Sequence, residues 1–205
     1  MIEVLITFSI AFFFSFIGTI PPGTLSLSII QLGLNHQIKA AWRMAFAAAL
    51  IEYPYAWVAV EFEDFVTKSF NVTEHFHLLT GVVMILLGAL NLWSSARPSK
   101  FSQRFEASGF RKGMVLSLLN PLAIPFWMAM TAYVKNHGWV DLSDKIEVHA
   151  YLLGVSAGTL VLFMLLAYLA KSVVSHFKTN GFLQKTPGIL LILLGVYSIG
   201  EYIFG

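Results

Sequence analysis

Apolar residues along this chain come in blocks of about twenty, the length a helix needs to cross a bilayer, and polar residues collect in the short stretches between them. The blocks predict six helices, at Val4 to Leu34, Ala41 to Val60, Leu78 to Trp93, Gly113 to Val134, His149 to Ala170 and Pro187 to Phe204. The expected fold class is an all-α integral membrane protein with six transmembrane helices. The first block lacks a basic leading region and a small-x-small cleavage site, so it reads as a mature span rather than a signal peptide. After the second block, Phe62, Phe65 and Val66 recur at helical spacing, which predicts that helix two continues along the outer surface.

Composition agrees with a chain that lies mostly in lipid. Hydrophobic residues make up 57% and charged residues 12%, against about 45–50% and about 25% in a soluble domain. With 205 residues no second, soluble domain fits beside six spans. The absence of cysteine excludes disulfides, thiolate metal sites and thiol relays. A net charge of +2 gives no reason to expect a nucleic-acid partner.

The placement of the basic residues matters more than their sum. Loops one, three and five hold Lys39, Arg43, Arg97, Lys100, Arg104, Arg111, Lys112, Lys171, Lys178 and Lys185, ten of the thirteen. Lys68, Lys135 and Lys145 fall on the opposite side. The positive-inside rule then puts the odd loops in the cytoplasm and both termini outside. Glu61, Glu63, Asp64, Glu74, Asp141, Asp144 and Glu147 accompany the outer side. Trp42, Trp57, Trp93 and Trp139 sit near span ends and read as interfacial anchors.

An internal repeat is visible. Gly81-Val82-Val83-Met84-Ile85-Leu86-Leu87-Gly88 and Gly188-Ile189-Leu190-Leu191-Ile192-Leu193-Leu194-Gly195 agree at both glycines and at Ile-Leu-Leu. Residues 1–96 then form one three-helix repeat, 97–112 a basic cytoplasmic linker and 113–205 a second repeat. An odd number of spans per half inverts the second half, which is a transporter architecture. Leucine-rich helices with small residues for close packing would match by coincidence, and that alternative stays open. Helix breakers recur in the first helix of each half, Pro21-Pro22-Gly23 and Asn120-Pro121 with Pro125. Such breaks persist in a membrane only where protein or a wet cavity satisfies the freed backbone groups. In this register Asn120 lies close to the inner surface and Pro21 much farther from the outer one, so the breaks fall at unequal depths.

Glu52 is the one acid predicted near mid-membrane. Ionised carboxylates there are costly unless paired, which suits a proton-coupling group or a counter-ion for an ammonium. A neutral Glu clamping two helices is the bland alternative. Pro54 opens the backbone beside it. The first break frees the carbonyls of Gly18, Thr19 and Ile20, while Gly23, Thr24 and Leu25 present amides at a helix start, which favours an anionic group. Thr24, Ser26 and Ser28 add hydroxyls that either bind substrate or bond back to the preceding turn. Asn120 brings a donor and an acceptor into an apolar span and needs partners across helices. Together these groups suit a zwitterion, with amides for its carboxylate and Glu52 with carbonyls for its amine.

Other motifs read as bland. The sequon Asn71-Val72-Thr73 carries no weight, and Glu74-His75-Phe76-His77 reads as solvated histidines rather than a metal site. His36, His137, His149 and His176 likewise fall in loops or at span ends. Without a serine elbow, HExxH or a phosphate-cradling loop, neither an enzyme nor a cofactor is expected.

Over most of its length the chain resembles the LysE and RhtB superfamily of small-solute exporters. The resemblance rests on six spans in about 200 residues, the break in helix one, the small-residue-rich second helix and Asn120-Pro121-x-Ala123-x-x-Phe126. The family usually shows Pro-Gly-Pro followed by asparagine, where this chain has Pro21-Pro22-Gly23-Thr24. Glu52 is similar to the acidic position in helix two of many members, with alanines at Ala47 to Ala49 replacing flanking glycines. The resemblance implies export of amino acids or related metabolites from the cytoplasm across a bacterial inner membrane, in exchange for protons and often as a dimer. Two other classes remain: a cation or metal-ion exporter with oxygen ligands, and a non-transporting scaffold in which Glu52 and Asn120 only lock helices. Basic residues of the linker either bind anionic lipid or only fix topology.

Overall fold

A computed structural model of the protein describes residues 2–20, 23–70, 78, 81, 82, 84–86, 88, 89, 92, 109–120, 123–172, 189, 192, 193, 195–200, 202 and 203. No β-strand occurs among them. They form α1 (Ile2–Gly18), α2 (Thr24–Leu34), α3 (Ile38–Phe70), α4 (Gly109–Leu118), α5 (Ala123–Asn136) and α6 (Lys145–Tyr168). Further helical residues lie within 78–92 and 189–203. Outside the described residues fall Pro21, Pro22, Pro121, Asn71 to His77, Trp93, Arg97, Lys100, Arg104, His176, Lys178, Lys185 and Gly188.

Several boundaries move because local chemistry outweighs the count of apolar residues. α3 runs 33 residues to Phe70, so the pattern at Phe62, Phe65 and Val66 does prolong the second helix. α4 begins at Gly109, four residues inside the expected 97–112 linker, because Gly109 and Gly113 both press on α3. α6 begins after Asp144, whose carboxylate accepts from the Ile146 amide at 3.4 Å as its N-cap.

The stretches expected as the first and fourth spans are each built of two pieces, α1 with α2 and α4 with α5. These pieces are 17, 11, 10 and 14 residues long. At about 1.5 Å per residue none crosses a hydrocarbon core of about 30 Å alone. α6, with 24 residues and a mean hydropathy of 2.1, is the one described helix long and apolar enough to do so by itself.

α6 is the post against which α1, α2 and α3 lean. Contacts along it fix the direction of each neighbour. The Phe8 carbonyl and Ala11 abut Gly154, the Phe12 carbonyl and Ser15 abut Gly158, and Gly33 of α2 abuts the Ala167 carbonyl, so α1 and α2 run parallel to α6. α3 runs the other way, since Tyr53 bonds His149 at 2.6 Å while Trp42 donates to the Tyr168 hydroxyl at 3.1 Å. α4 is parallel to α3, with Gly109 on the Ala40 carbonyl and Gly113 on the Met44 carbonyl and Ala47. Gly81 abuts Ile199 and the Gly195 carbonyl, while Gly195 abuts Ile85 and the Gly81 carbonyl, a reciprocal antiparallel contact.

These crossings share one cause. Lipid tails are as apolar as leucine, so helices associate in a membrane through close backbone approach and bonds across the seam rather than through a hydrophobic drive. Ser15 supplies such bonds, donating to the Val155 carbonyl at 2.6 Å and pairing with the Thr159 hydroxyl at 2.9 Å. One apolar cluster forms around Ala56, Trp127, Tyr151 and Val155, and a second around Ile29, Met44, Ala48 and Phe163.

The same contacts sort the charges by end. Lys39, Arg43, Arg111, Lys112 and Lys171 lie at the end marked by Trp42 and Tyr168. Glu3, Asp141, Asp144 and Glu147 gather at the other. There hydrogen bonds from Ser143 hold the Asp141 carboxyl below its ordinary range.

A Cβ at Gly158 would land on the Phe12 carbonyl and on Ser15. Gly158→Val should therefore force α1 off α6 and cost about 3 kcal/mol or more. Gly23→Ala meets nothing within 4 Å, so it should stay within about 0.5 kcal/mol of wild type. Thermal unfolding of both variants in detergent checks this; equal stabilities would mean the α1–α6 seam is not close-packed.

Candidate functional site

Both interrupted spans end their first piece with one hydrogen-bond pattern. At the first, the Thr19 amide donates to the Ser15 carbonyl (3.0 Å) and the Ile20 amide to the Ile17 carbonyl (3.1 Å). At the second, Leu119 donates to Val115 (3.0 Å) and Asn120 to Ser117 (3.1 Å). The last turn tightens from four-residue to three-residue spacing directly before Pro21 and before Pro121, residues 100 apart. Proline has no N–H, so the ladder stops there. The restarts differ. The Leu27 amide returns to the carbonyl of an extended Gly23 (2.9 Å), whereas the Ala123 amide reaches the Asn120 carbonyl at 3.5 Å.

α3 carries Glu52 and Tyr55 one turn apart, a spacing that puts both on one face. Glu52 is half-buried, and its Oε2 accepts from Trp127 Nε1 at 2.6 Å. The Tyr55 hydroxyl donates to the Leu118 carbonyl at 2.8 Å. That carbonyl cannot close a three-residue turn, because the residue it would use is Pro121. α3 thus holds both sides of the second break, α4 through Tyr55 and α5 through Glu52. Phe126 lies edge-on to Trp127, ring centroids 5.1 Å apart, and against Gly18, the last residue of α1. The Phe126 ring spans from α5 to the end of α1, so the two breaks and Glu52 converge on Phe126 and Trp127 despite their unequal depths in the sequence register.

Hydroxyls surround the first break. Thr19 donates to the Ser15 carbonyl at 2.8 Å and lies 3.4 Å from the Thr159 hydroxyl. The buried hydroxyl oxygens of Ser117 on α4 and Ser156 on α6 have no hydrogen-bond partner among the described residues. Buried polar atoms are rarely left so, and such atoms are places for a water or a solute group.

Of the residues expected to form the site, Glu52 lies beside the second break, bonded to Trp127. Gly23 and Thr24 are exposed, Ser26 is buried, and Ser28 bonds back to the Thr24 carbonyl at 2.8 Å. No hydrogen bond joins Gly23, Thr24 or Ser26 to Glu52 among the described residues. Asn120 is exposed at the end of α4, and Pro21, Pro22 and Pro121 lie outside the described residues.

Two residues escaped the sequence. Trp127 is 2% exposed, while Trp42, Trp57 and Trp139 are 46%, 47% and 45% exposed. The one tryptophan away from every predicted span end was the available signal. Tyr55 was legible only as a neighbour of Glu52 at one-turn spacing.

Trp127→Phe keeps the ring but removes the donor to Glu52. A double-mutant cycle with Glu52→Leu, which has no acceptor, read by thermal unfolding in detergent, should give a coupling of about 1–3 kcal/mol. A coupling near zero would show that this bond holds nothing.

No curated protein and no solved structure matches the chain. A family model described as LysE type translocator matches residues 8–201. The members of that family are multi-pass integral membrane proteins that export small molecules, transporters and not enzymes. With nearly its whole length matched, the chain belongs to the LysE type translocator family.

Proposed function

We propose that the protein exports amino acids or related small metabolites across the bacterial inner membrane, driven by protons entering in exchange, with its site where Glu52 meets the two helix breaks. The observation that carries this is the Glu52 carboxylate held by Trp127 at the point where both breaks converge. Glu52 with the rings of Trp127, Phe126 and Tyr55 suits an ammonium group. Amides at the start of α2, from Gly23 and Thr24, suit a carboxylate. Ser26, Ser117, Ser156 and Asn120 supply further polar contacts. Proline at positions 21, 22 and 121 has no N–H to offer a helix ladder. A proton on Glu52 removes the charge that holds the amine, so proton and solute compete for one group and are thereby exchanged.

The frame for this exchange is a pair of inverted three-helix repeats, 1–96 and 113–205, about the 97–112 linker. Reciprocal crossings support it: α1 packs on α6 as α4 packs on α3, and Gly81 packs on Gly195 as Gly195 does on Gly81. So does the shared hydrogen-bond pattern before Pro21 and Pro121. With the basic end in the cytoplasm both termini lie outside, and rocking of one repeat against the other exposes the site to each side in turn.

Efflux of a panel of preloaded amino acids from proteoliposomes with an imposed proton gradient tests the proposal. Gradient-driven efflux is expected, and Glu52→Gln at matched folded protein should abolish it. No flux for any amino acid from well-folded protein would sink the amino-acid assignment and leave cation export or a structural role.

A further inference from the structure

We infer that Tyr55 and Trp127 are positioning residues that make the break in the fourth span a hinge set by the charge on Glu52. Tyr55 pins α4 to α3 in either state, and Trp127 ties α5 to α3 firmly only while Glu52 is ionised. This goes beyond the exporter reading but rests on it for Glu52 as the proton group.

The two bonds leave one face of α3 and land on opposite sides of the break. Tyr55 reaches the Leu118 carbonyl at 2.8 Å, and Glu52 receives the Trp127 N–H at 2.6 Å. Between the two anchors α4 and α5 are separate helices, joined in backbone bonding only by the 3.5 Å reach of the Ala123 amide to the Asn120 carbonyl among the described residues, so their mutual angle rests on the bonds to α3. The bonds differ in how they respond to a proton. Tyr55 and the Leu118 carbonyl are both neutral, and a proton on Glu52 leaves their bond as it is. An indole N–H can only donate. Its bond to a carboxylate is charge-assisted and about twice as strong as one to a neutral acceptor. Protonating Glu52 therefore weakens the α5 anchor selectively.

The far side of α5 gives the pivot a consequence. Phe126, next to Trp127, fills the space over Gly18 at the end of α1. A turn of α5 relative to α4 moves that ring across the end of α1, and so carries a change at Glu52 from the second break to the first.

Few other titratable groups face this point. α3 itself adds Tyr53 and Tyr55. α6 presents His149, bonded to Tyr53, and Tyr151, paired with Thr131 at 3.2 Å. On α4, Arg111 and Lys112 lie in the first turn, and on α5, Tyr133 and Lys135 lie toward the far end. On α1, Glu3 is at the opposite end, and α2 carries no titratable side chain. His149 is thus the other group to separate from Glu52, which Glu52→Gln does.

The chain contains no cysteine, so introduced cysteines carry spin labels without background. Labels at exposed Val58 on α3, Leu118 at the end of α4 and Asn136 at the end of α5 report the two arms in proteoliposomes by double electron-electron resonance. On acidification the 58–136 distance should shift by several ångströms while 58–118 stays fixed. Glu52→Gln should hold the shifted 58–136 distance at every pH. Trp127→Phe should do the same, and Glu52→Gln alone decides the matter if that variant does not fold. Tyr55→Phe should let both distances move together.

Distances independent of pH in wild type, or a full wild-type pH response in Glu52→Gln, would overturn the hinge. Efflux measured in the same liposomes keeps the two readings apart. Amino-acid efflux with fixed distances removes the hinge and leaves the exporter. A pH-driven shift that Glu52→Gln abolishes, without efflux of any amino acid, keeps the hinge and removes the exporter reading.

Discussion

A peptide group released from a helix inside a membrane has no water to turn to, and each such group left unsatisfied costs several kcal/mol. The described architecture follows from how this chain meets that demand at two places. Before Pro21 and before Pro121 the helix tightens its last turn, which recovers part of the lost bonding locally. What local tightening leaves over is taken up from neighbours. The Leu118 carbonyl needs Tyr55, and Thr19 with Ser15 and Thr159 brings hydroxyls to the first break. Such partners reach only if helices stand close, and the glycines at 109, 113, 154 and 158 let them. Helix breaks, polar contacts and small-residue seams are therefore one device, and a loss of any seam withdraws the partners the breaks depend on.

Much of this was legible in the sequence and some was not, for a physical reason. Apolar runs, helix breakers and the sorting of lysine and arginine depend on residues near one another in the chain, and they predicted the described helices, the two interruptions and the two charged ends. The extension of α3 to Phe70 was legible in the same way, through the spacing of Phe62, Phe65 and Val66. Glu52 stood out because an intramembrane acid is expensive wherever it points. Its partner did not stand out, since Trp127 is 75 positions away and an indole N–H has no periodic signature. Tyr55 and Leu118, 63 positions apart, were hidden likewise. At Ser28 the competing local bond won, because its hydroxyl finds the Thr24 carbonyl one turn back at no cost in reach. The start of α4 was misjudged because Arg111 and Lys112 look like linker, whereas the contact of Gly109 with Ala40 draws them into a helix.

The two breaks match in the tightened turn that ends the first piece of each and differ in chemistry. Around the first stand neutral hydroxyls of Ser15, Thr19 and Thr159; around the second stand a carboxylate, an indole and a phenol. A frame of two inverted repeats with identical chemistry would have two mirror arrangements of equal energy, and a solute binding both equally would shift neither. Placing the acid on one side removes that equality. In the proposed hinge the arrangement that keeps Trp127 on an ionised Glu52 is favoured until a proton arrives, and the preference then weakens by the difference between a charge-assisted and a neutral hydrogen bond. In the proposed exporter the backbone symmetry supplies the two states, and the asymmetry of three side chains decides which of them a proton selects.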